Sequence, residues 1–208
     1  MTIDHAPPPH CAARATGRVV PIATLHPTPW RNGGGMTRRI ATGGADGSDP
    51  DWTLSLADIE TACQFSTFPG LARTAVVVGD DPVDLTVNGA TRTLALLDRI
   101  SFTGDHDVRA APTRSATRLL NLMTRSGVWD GALSLRHLRG TFTLDADDVV
   151  AHMVLAGSLI VGDDELRRWD TILLADEPIE VTGAATVAAV HIRPSTTPTT
   201  PASEEDSE

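Results

Sequence analysis

Between residues 18 and 193 the chain alternates short apolar runs, rich in Val, Ile, Leu and Thr, with clusters of Gly, Asp and Pro. Runs of this length bounded by turn formers read as β-strands. The first two, Arg18 to Leu25 and Thr37 to Ala41, flank a glycine-rich stretch. Trp52, Leu54 and Leu56 then alternate with Thr53, Ser55 and Ala57, which places the tryptophan side in the core and the serine side toward a pocket or solvent. Ala57 to Cys63 suits a short helical turn, and Phe65 to Gly70 ends in a Pro-Gly turn between strands. Arg114 to Thr124 is the best helix candidate, but Leu119, Leu120, Leu122 and Met123 lie so close together that a buried strand suits them equally. Asn121 interrupts that run, and its amide either satisfies backbone groups or faces a cavity.

Two stretches resemble each other. Leu71 to Val78, the turn Gly79 to Pro82, Val83 to Val87, Asn88-Gly89, Arg92 to Leu97 and Asp98 form a strand meander. Val149 to Leu155, Gly157, Ser158 to Val161, Gly162 to Asp164, Glu165 to Arg168 and Trp169-Asp170-Thr171 repeat its later part. Two hairpin units in one chain suggest two half-barrels or jelly-roll elements sharing a core. The ends differ in character. Residues 1–17, with Pro7-Pro8-Pro9, read as a disordered leader, and Pro194 to Glu208 reads as a solvated acidic tail. The body, 18–193, is expected to be one all-β domain.

Composition narrows the chemistry. The formal charge of -10 over 208 residues argues against nucleic-acid binding, while leaving room for a local anion pocket. All 17 basic residues are arginine, so Schiff-base chemistry and a P-loop lysine are excluded. Tyrosine is absent as well. Cys11 and Cys63 are the only thiols; no disulfide framework is expected, and Cys63 reads as a small core or strand-end residue. The first 20 residues lack a signal-peptide pattern and no apolar run is long enough to span a membrane, so the expected location is cytoplasmic, with no membrane partner.

The densest chemistry lies in Thr28-Pro29-Trp30-Arg31-Asn32-Gly33-Gly34-Gly35-Met36-Thr37-Arg38. Three consecutive glycines imply positive φ or the close approach of another group. They serve either a tight hairpin or a ligand. A dinucleotide or phosphate cradle is excluded, because the spacing is wrong and a strand, not a helix, follows.

Pro29 to Arg38, Trp52 to Ala57, Phe65 to Gly70 with Arg73, Phe102-Thr103-Gly104-Asp105 and Asn121-Leu122-Met123 resemble, in this order, the HutD/Ves family. The resemblance covers about residues 18 to 193. It implies a cupin-like (RmlC-like) β-barrel with internally duplicated jelly-roll halves. It also implies a link to histidine utilisation and a ligand such as urocanate or a formylated glutamate derivative. One departure is Leu119, where the family pattern carries an aspartate two residues before the asparagine.

Cupin metal centres use a His-x-His pair, a nearby glutamate and a distant histidine. This chain has no His-x-His, and Pro178-Ile179-Glu180 stands where the distant histidine belongs. His152 and His191 could meet across strands, but two imidazoles without a carboxylate make a poor centre. No metal and no cofactor are expected. No Gly-x-Ser-x-Gly elbow is present, and His106, between Asp105 and Asp107, reads as a turn residue more readily than a general base. What remains is recognition. Arg31, Arg38 and Arg73 suit a carboxylate, while Asn32, Ser55, Ser66 and Asn121 offer neutral partners. Gly33 and Gly34 give room beside them, and Trp30 serves as cavity wall or stacking surface. The expected function is metal-free binding of a small carboxylate metabolite that modulates histidine and urocanate catabolism. An isomerase or hydrolase using His106 or an aspartate as base, and a scaffold for protein partners, are the alternatives. Assembly as a homodimer is left open.

Overall fold

The computed structural model describes residues 18–44, 49–147, 149–175 and 177–196. The leader 1–17, with Cys11, and the tail from 197 onward lie outside the described residues. The strands run β1 (Arg18–Val20), β2 (Thr28–Pro29), β3 (Gly35–Gly43), β4 (Trp52–Ile59), β5 (Cys63–Gln64), β6 (Leu71–Val77), β7 (Val83–Val87) and β8 (Ala90–Leu94). They continue with β9 (Arg99–Thr103), β10 (Val108–Pro112), β11 (Thr117–Arg125), β12 (Trp129–Leu144), β13 (Val149–Val161), β14 (Asp164–Leu166), β15 (Thr171–Leu173) and β16 (Ile179–Pro194). Among the described residues the one helical element is a 3-10 turn, Ile22–Thr24.

Three sheets result. The first has the order β2-β3-β4-β11-β6-β9, the second β5-β10-β7-β8, and the third β1-β15-β13-β16-β12, with β14 on β13. The first sheet is apolar on both faces, which fixes its place in the middle of the molecule. One face sends Leu54, Leu56, Val76, Leu120 and Leu122 against Met153, Ala188 and Val190 of the third sheet. The other sends Ala57, Ile59, Val77 and Leu119 against Val83, Leu85 and Val108 of the second sheet. A third cluster, Leu138, Val154, Leu159, Leu166, Ile172 and Val187, lies within the third sheet itself. The molecule is a cupin-like all-β fold with a cluster inside each half and another between them.

One sequence expectation changes and two alternatives narrow. Ala57 to Cys63 holds no helical turn: β4 runs through Ile59, because Ala57 and Ile59 fill the second sheet's cluster. Thr117–Arg125 is a strand flanked by β4 and β6, so adjacent leucines are buried on opposite faces. Of the two alternatives for Ser55, its 4% exposure removes solvent.

The sequence repeat is a repeat of structure. The Asp98 carboxylate accepts the Ala95 N–H, the Leu97 N–H donates to the Val77 carbonyl, and the Val77 N–H donates to the Asp98 carbonyl. The Asp170 carboxylate likewise accepts the Arg167 N–H, the Trp169 N–H donates to the Val154 carbonyl, and the Val154 N–H donates to the Asp170 carbonyl. Leu97 and Trp169 even share a left-handed backbone, at φ 71° and 75°. An aspartate that closes such a turn through its side chain explains why both copies end on that residue.

Candidate ligand-binding site

Four strands of the first sheet build the wall. Register aligns Ser55, Asn121, Ala75 and Ile100 in one row across β4, β11, β6 and β9, and Thr53, Met123, Arg73 and Phe102 in a neighbouring row. Directly opposed residues leave an antiparallel ladder on the same side. These eight therefore share the face turned toward the second sheet. On the opposite side of the serine row lie Ala57, Leu119 and Val77, all buried. The polar rows thus sit against an apolar floor.

Arg73 is the unusual member. It is 6% exposed, and its guanidinium carbon lies 4.9 Å from the ring centroid of Phe102, 5.1 Å from that of Phe65 and 5.6 Å from that of Phe68. Nη1 donates to the Ser66 carbonyl at 3.2 Å, whereas the buried Nε has no partner among the described residues. No carboxylate pairs with it among those residues either. Burial pushes its pKa down to about 10, which still leaves it charged at neutrality. Three ring faces supply part of the lost hydration through cation–π attraction. Ser55 and Asn121 are each 4% exposed, and Asn121 Nδ2 reaches the Leu119 carbonyl at a long 3.4 Å.

The glycine-rich stretch supports this wall from behind. Trp30 packs edge-on against Phe65, with centroids 5.6 Å apart and planes at 80°, and its indole N–H donates to Thr37 Oγ1 at 2.7 Å. Asn32 Nδ2 donates to the Gln64 carbonyl at 2.7 Å, while Asn32 Oδ1 accepts the Gly34 N–H. The loop is thereby tied to the residue before Phe65. A Cβ on Gly34 would lie 2.1 Å from that of Cys63, and one on Gly35 would lie 2.0 Å from the Asp58 carbonyl oxygen. Close chain approach accounts for both. Gly33, at φ 71°, makes the turn, and Arg31 beside it is exposed.

Of the ten expected residues, Ser55, Asn121 and Arg73 lie together, with Ser66 bonded to Arg73 and Trp30 behind Phe65. Arg38 does not join them. It is opposed to Leu56, on the other face, where it pairs with Asp58 alongside Arg118. Arg39 is the arginine paired with Ser55. The composition of the stretch could not separate two adjacent arginines, because the choice depends on strand register. Phe102 and Phe65, the partners of Arg73, were legible as motif residues but not as its cage.

Other candidates fall elsewhere. His106 lies in the turn between β9 and β10, its N–H on the Thr103 carbonyl. Burial pushes the Cys63 thiol up, which suits an inert side chain. A surface cleft of about 540 Å³, lined by Cys63, Gln64, Asp84, Thr86 and Arg109, opens on the solvent side of the second sheet. No group of three or more His, Cys, Asp or Glu residues among the described residues could hold a metal ion. No helix among them is long and apolar enough to cross a membrane.

Comparison with known proteins places these features. The model of a family described as HutD matches residues 22–190. A 21.2 kDa protein from the hutC 3′ region of Pseudomonas putida is 39% identical over 97 residues, 46% of this chain and 51% of that protein. Protein Ves of Citrobacter koseri is 37% identical over 98 residues, with the same coverage of 46% and 51%. The chain thus spans about half the length of the curated relatives it matches. Among solved structures, HutD from Pseudomonas fluorescens SBW25 in a formate condition superposes with a TM-score of 0.71 at 26% identity, covering 86% of this chain and 100% of that one. A Cupin 2 conserved barrel domain protein from Leptotrichia buccalis gives 0.57 at 13%, covering 85% and 96%, a likeness of fold.

Proposed function

The chain belongs to the HutD family, and from that membership we propose that it binds a small carboxylate-bearing metabolite of histidine breakdown on the Ser55–Asn121–Arg73 wall, adjusting flux through that route without transforming the ligand. The observation that carries this reading is Arg73, a buried guanidinium with a cage of three phenylalanines and no carboxylate partner among the described residues. A desolvated cation favours an anion that brings its own hydrogen-bond acceptors, and a planar carboxylate matches the guanidinium fork. Ser55 and Asn121 provide neutral donors and acceptors one row away, which would orient the remainder of the ligand. Arg39 would add charge at the exposed edge of the same face.

Thermal-shift measurements with urocanate, formiminoglutamate, formylglutamate and acetate test this directly. A true ligand at a hundredfold excess over Kd adds about 2.7 kcal/mol to apparent stability. Arg73→Met keeps an apolar stem among the three rings and should abolish the shift while the variant still melts cooperatively. A protein indifferent to every carboxylate sinks the proposal. Turnover of a shifting ligand, followed by NMR, would replace binding with catalysis.

A further inference from the structure

The second half carries a counterpart of the first half's polar wall. The repeated turn fixes the correspondence, since Val154 is bonded to Trp169 and Asp170 as Val77 is to Leu97 and Asp98. Followed by register from Val154, the row Ser55–Asn121–Ala75–Ile100 becomes Ser134–Ala189–His152–Ile172. Ala57 becomes Arg136 and Met123 becomes His191 by the same count. An imidazole therefore stands where the first half has an alanine. The asparagine at the centre is replaced by Ala189, which is fully buried.

His152 is 1% exposed, and neither ring nitrogen has a hydrogen-bond partner among the described residues. A neutral imidazole always presents one donor and one acceptor, and burying them unpaired is costly. Ser134 Oγ and His191 Nε2 are 2.8 Å apart, so these two satisfy each other rather than His152. Arg136 is exposed and has no ion pair among the described residues. Burial, Arg136 and His191 together hold the His152 pKa down at about 4, and no carboxylate contributes. The charges around the imidazole are of one sign. A metal would need a third ligand of suitable type, which the described residues do not supply.

We infer that this row is a second ligand site, which takes a small carboxylate at the His152 imidazole, one oxygen accepting from its ring N–H and Arg136 supplying the countercharge. The anion gives the buried N–H an acceptor and is attracted by the exposed Arg136 guanidinium. The site is separate from that of Arg73, which lies in the other half.

The test uses full-length protein carrying isotopically labelled histidine, titrated with sodium acetate against matched sodium chloride at constant pH. Imidazole resonances of His152, assigned by their loss in His152→Gln, should shift saturably with acetate and not with chloride. Arg136→Gln, at an exposed position, should weaken that response about tenfold, the loss expected for one charge-assisted hydrogen bond. Arg73→Met should leave it unchanged. The absence of a saturable shift, an equal response to chloride, undiminished affinity in Arg136→Gln, or loss of the response in Arg73→Met would each overturn the inference.

Discussion

Burial lowers the pKa of both Arg73 and His152, with opposite outcomes for their charge at neutrality. Arg73 keeps its charge, because even a pKa of about 10 lies far above neutrality, and aromatic faces offset part of its desolvation. His152 gives its charge up. With a folded pKa of about 4 against about 6.5 unfolded, the unfolded chain binds the extra proton first as pH falls. The stability that rests on neutral His152 is therefore complete above about pH 6.5 and lost between there and pH 4, by up to roughly 3 kcal/mol. The charged and titratable groups facing it, Arg136 and His191, deepen the effect because they repel a second cation. Urea denaturation between pH 7 and 4 should show this loss in the parent protein and a much smaller one in His152→Leu. A matching slope in both would assign the acid sensitivity to other groups. At this scale the sequence marks Ser55, Arg73 and Asn121 as chemistry, because polar residues interrupting apolar strands must find partners. It cannot choose Arg39 over Arg38, since register decides which faces Ser55.

Strands and turns were largely readable one element at a time. Asn88-Gly89 makes its tight turn with φ of 49° and 84°, and the aspartate turns recur where the repeat predicts them. The misreading falls at the end of β4 and the undecided reading on β11, where both faces are buried. With Leu119, Leu120, Leu122, Ala57 and Ile59 all inside, the two-residue alternation that identifies a strand disappears. The triple glycine yields a prediction of its own at this scale. Gly35→Ala would drive a Cβ to 2.0 Å from the Asp58 carbonyl oxygen, forcing β3 away from β4. Gly33→Ala meets nothing within 4 Å and suffers only the left-handed backbone cost of about 1–2 kcal/mol. Denaturant titrations should rank Gly35→Ala well below Gly33→Ala in stability. The reverse order would mean that the close contact relaxes freely.

Across the whole molecule the halves are joined by packing and by chain path. Their shared cluster takes Leu54, Leu56, Val76 and Leu120 from one half and Met153, Ala188 and Val190 from the other. Trp169 lies 3.8 Å from the Arg118 guanidinium carbon, and its indole N–H donates to the Val78 carbonyl, so the second copy of the turn grips the first half. The likeness of the two copies was legible in the sequence; their division of labour was not, because it depends on which single side chains differ at matched positions. Chain path adds a further consequence through β1, which precedes every strand of the first sheet yet pairs with β15 of the third. Val19 opposes Ile172, and the Ile22 N–H donates to the Asp170 carboxylate at 2.8 Å. The chain buckles like a belt, its leading strand threaded into the half that is made last. Cutting the turn between Ser126 and Gly127 should therefore yield two fragments that co-elute as one particle, held by the buckle and the shared cluster. Removing residues 18–22 as well should let them part at moderate urea concentrations where the cut molecule stays whole.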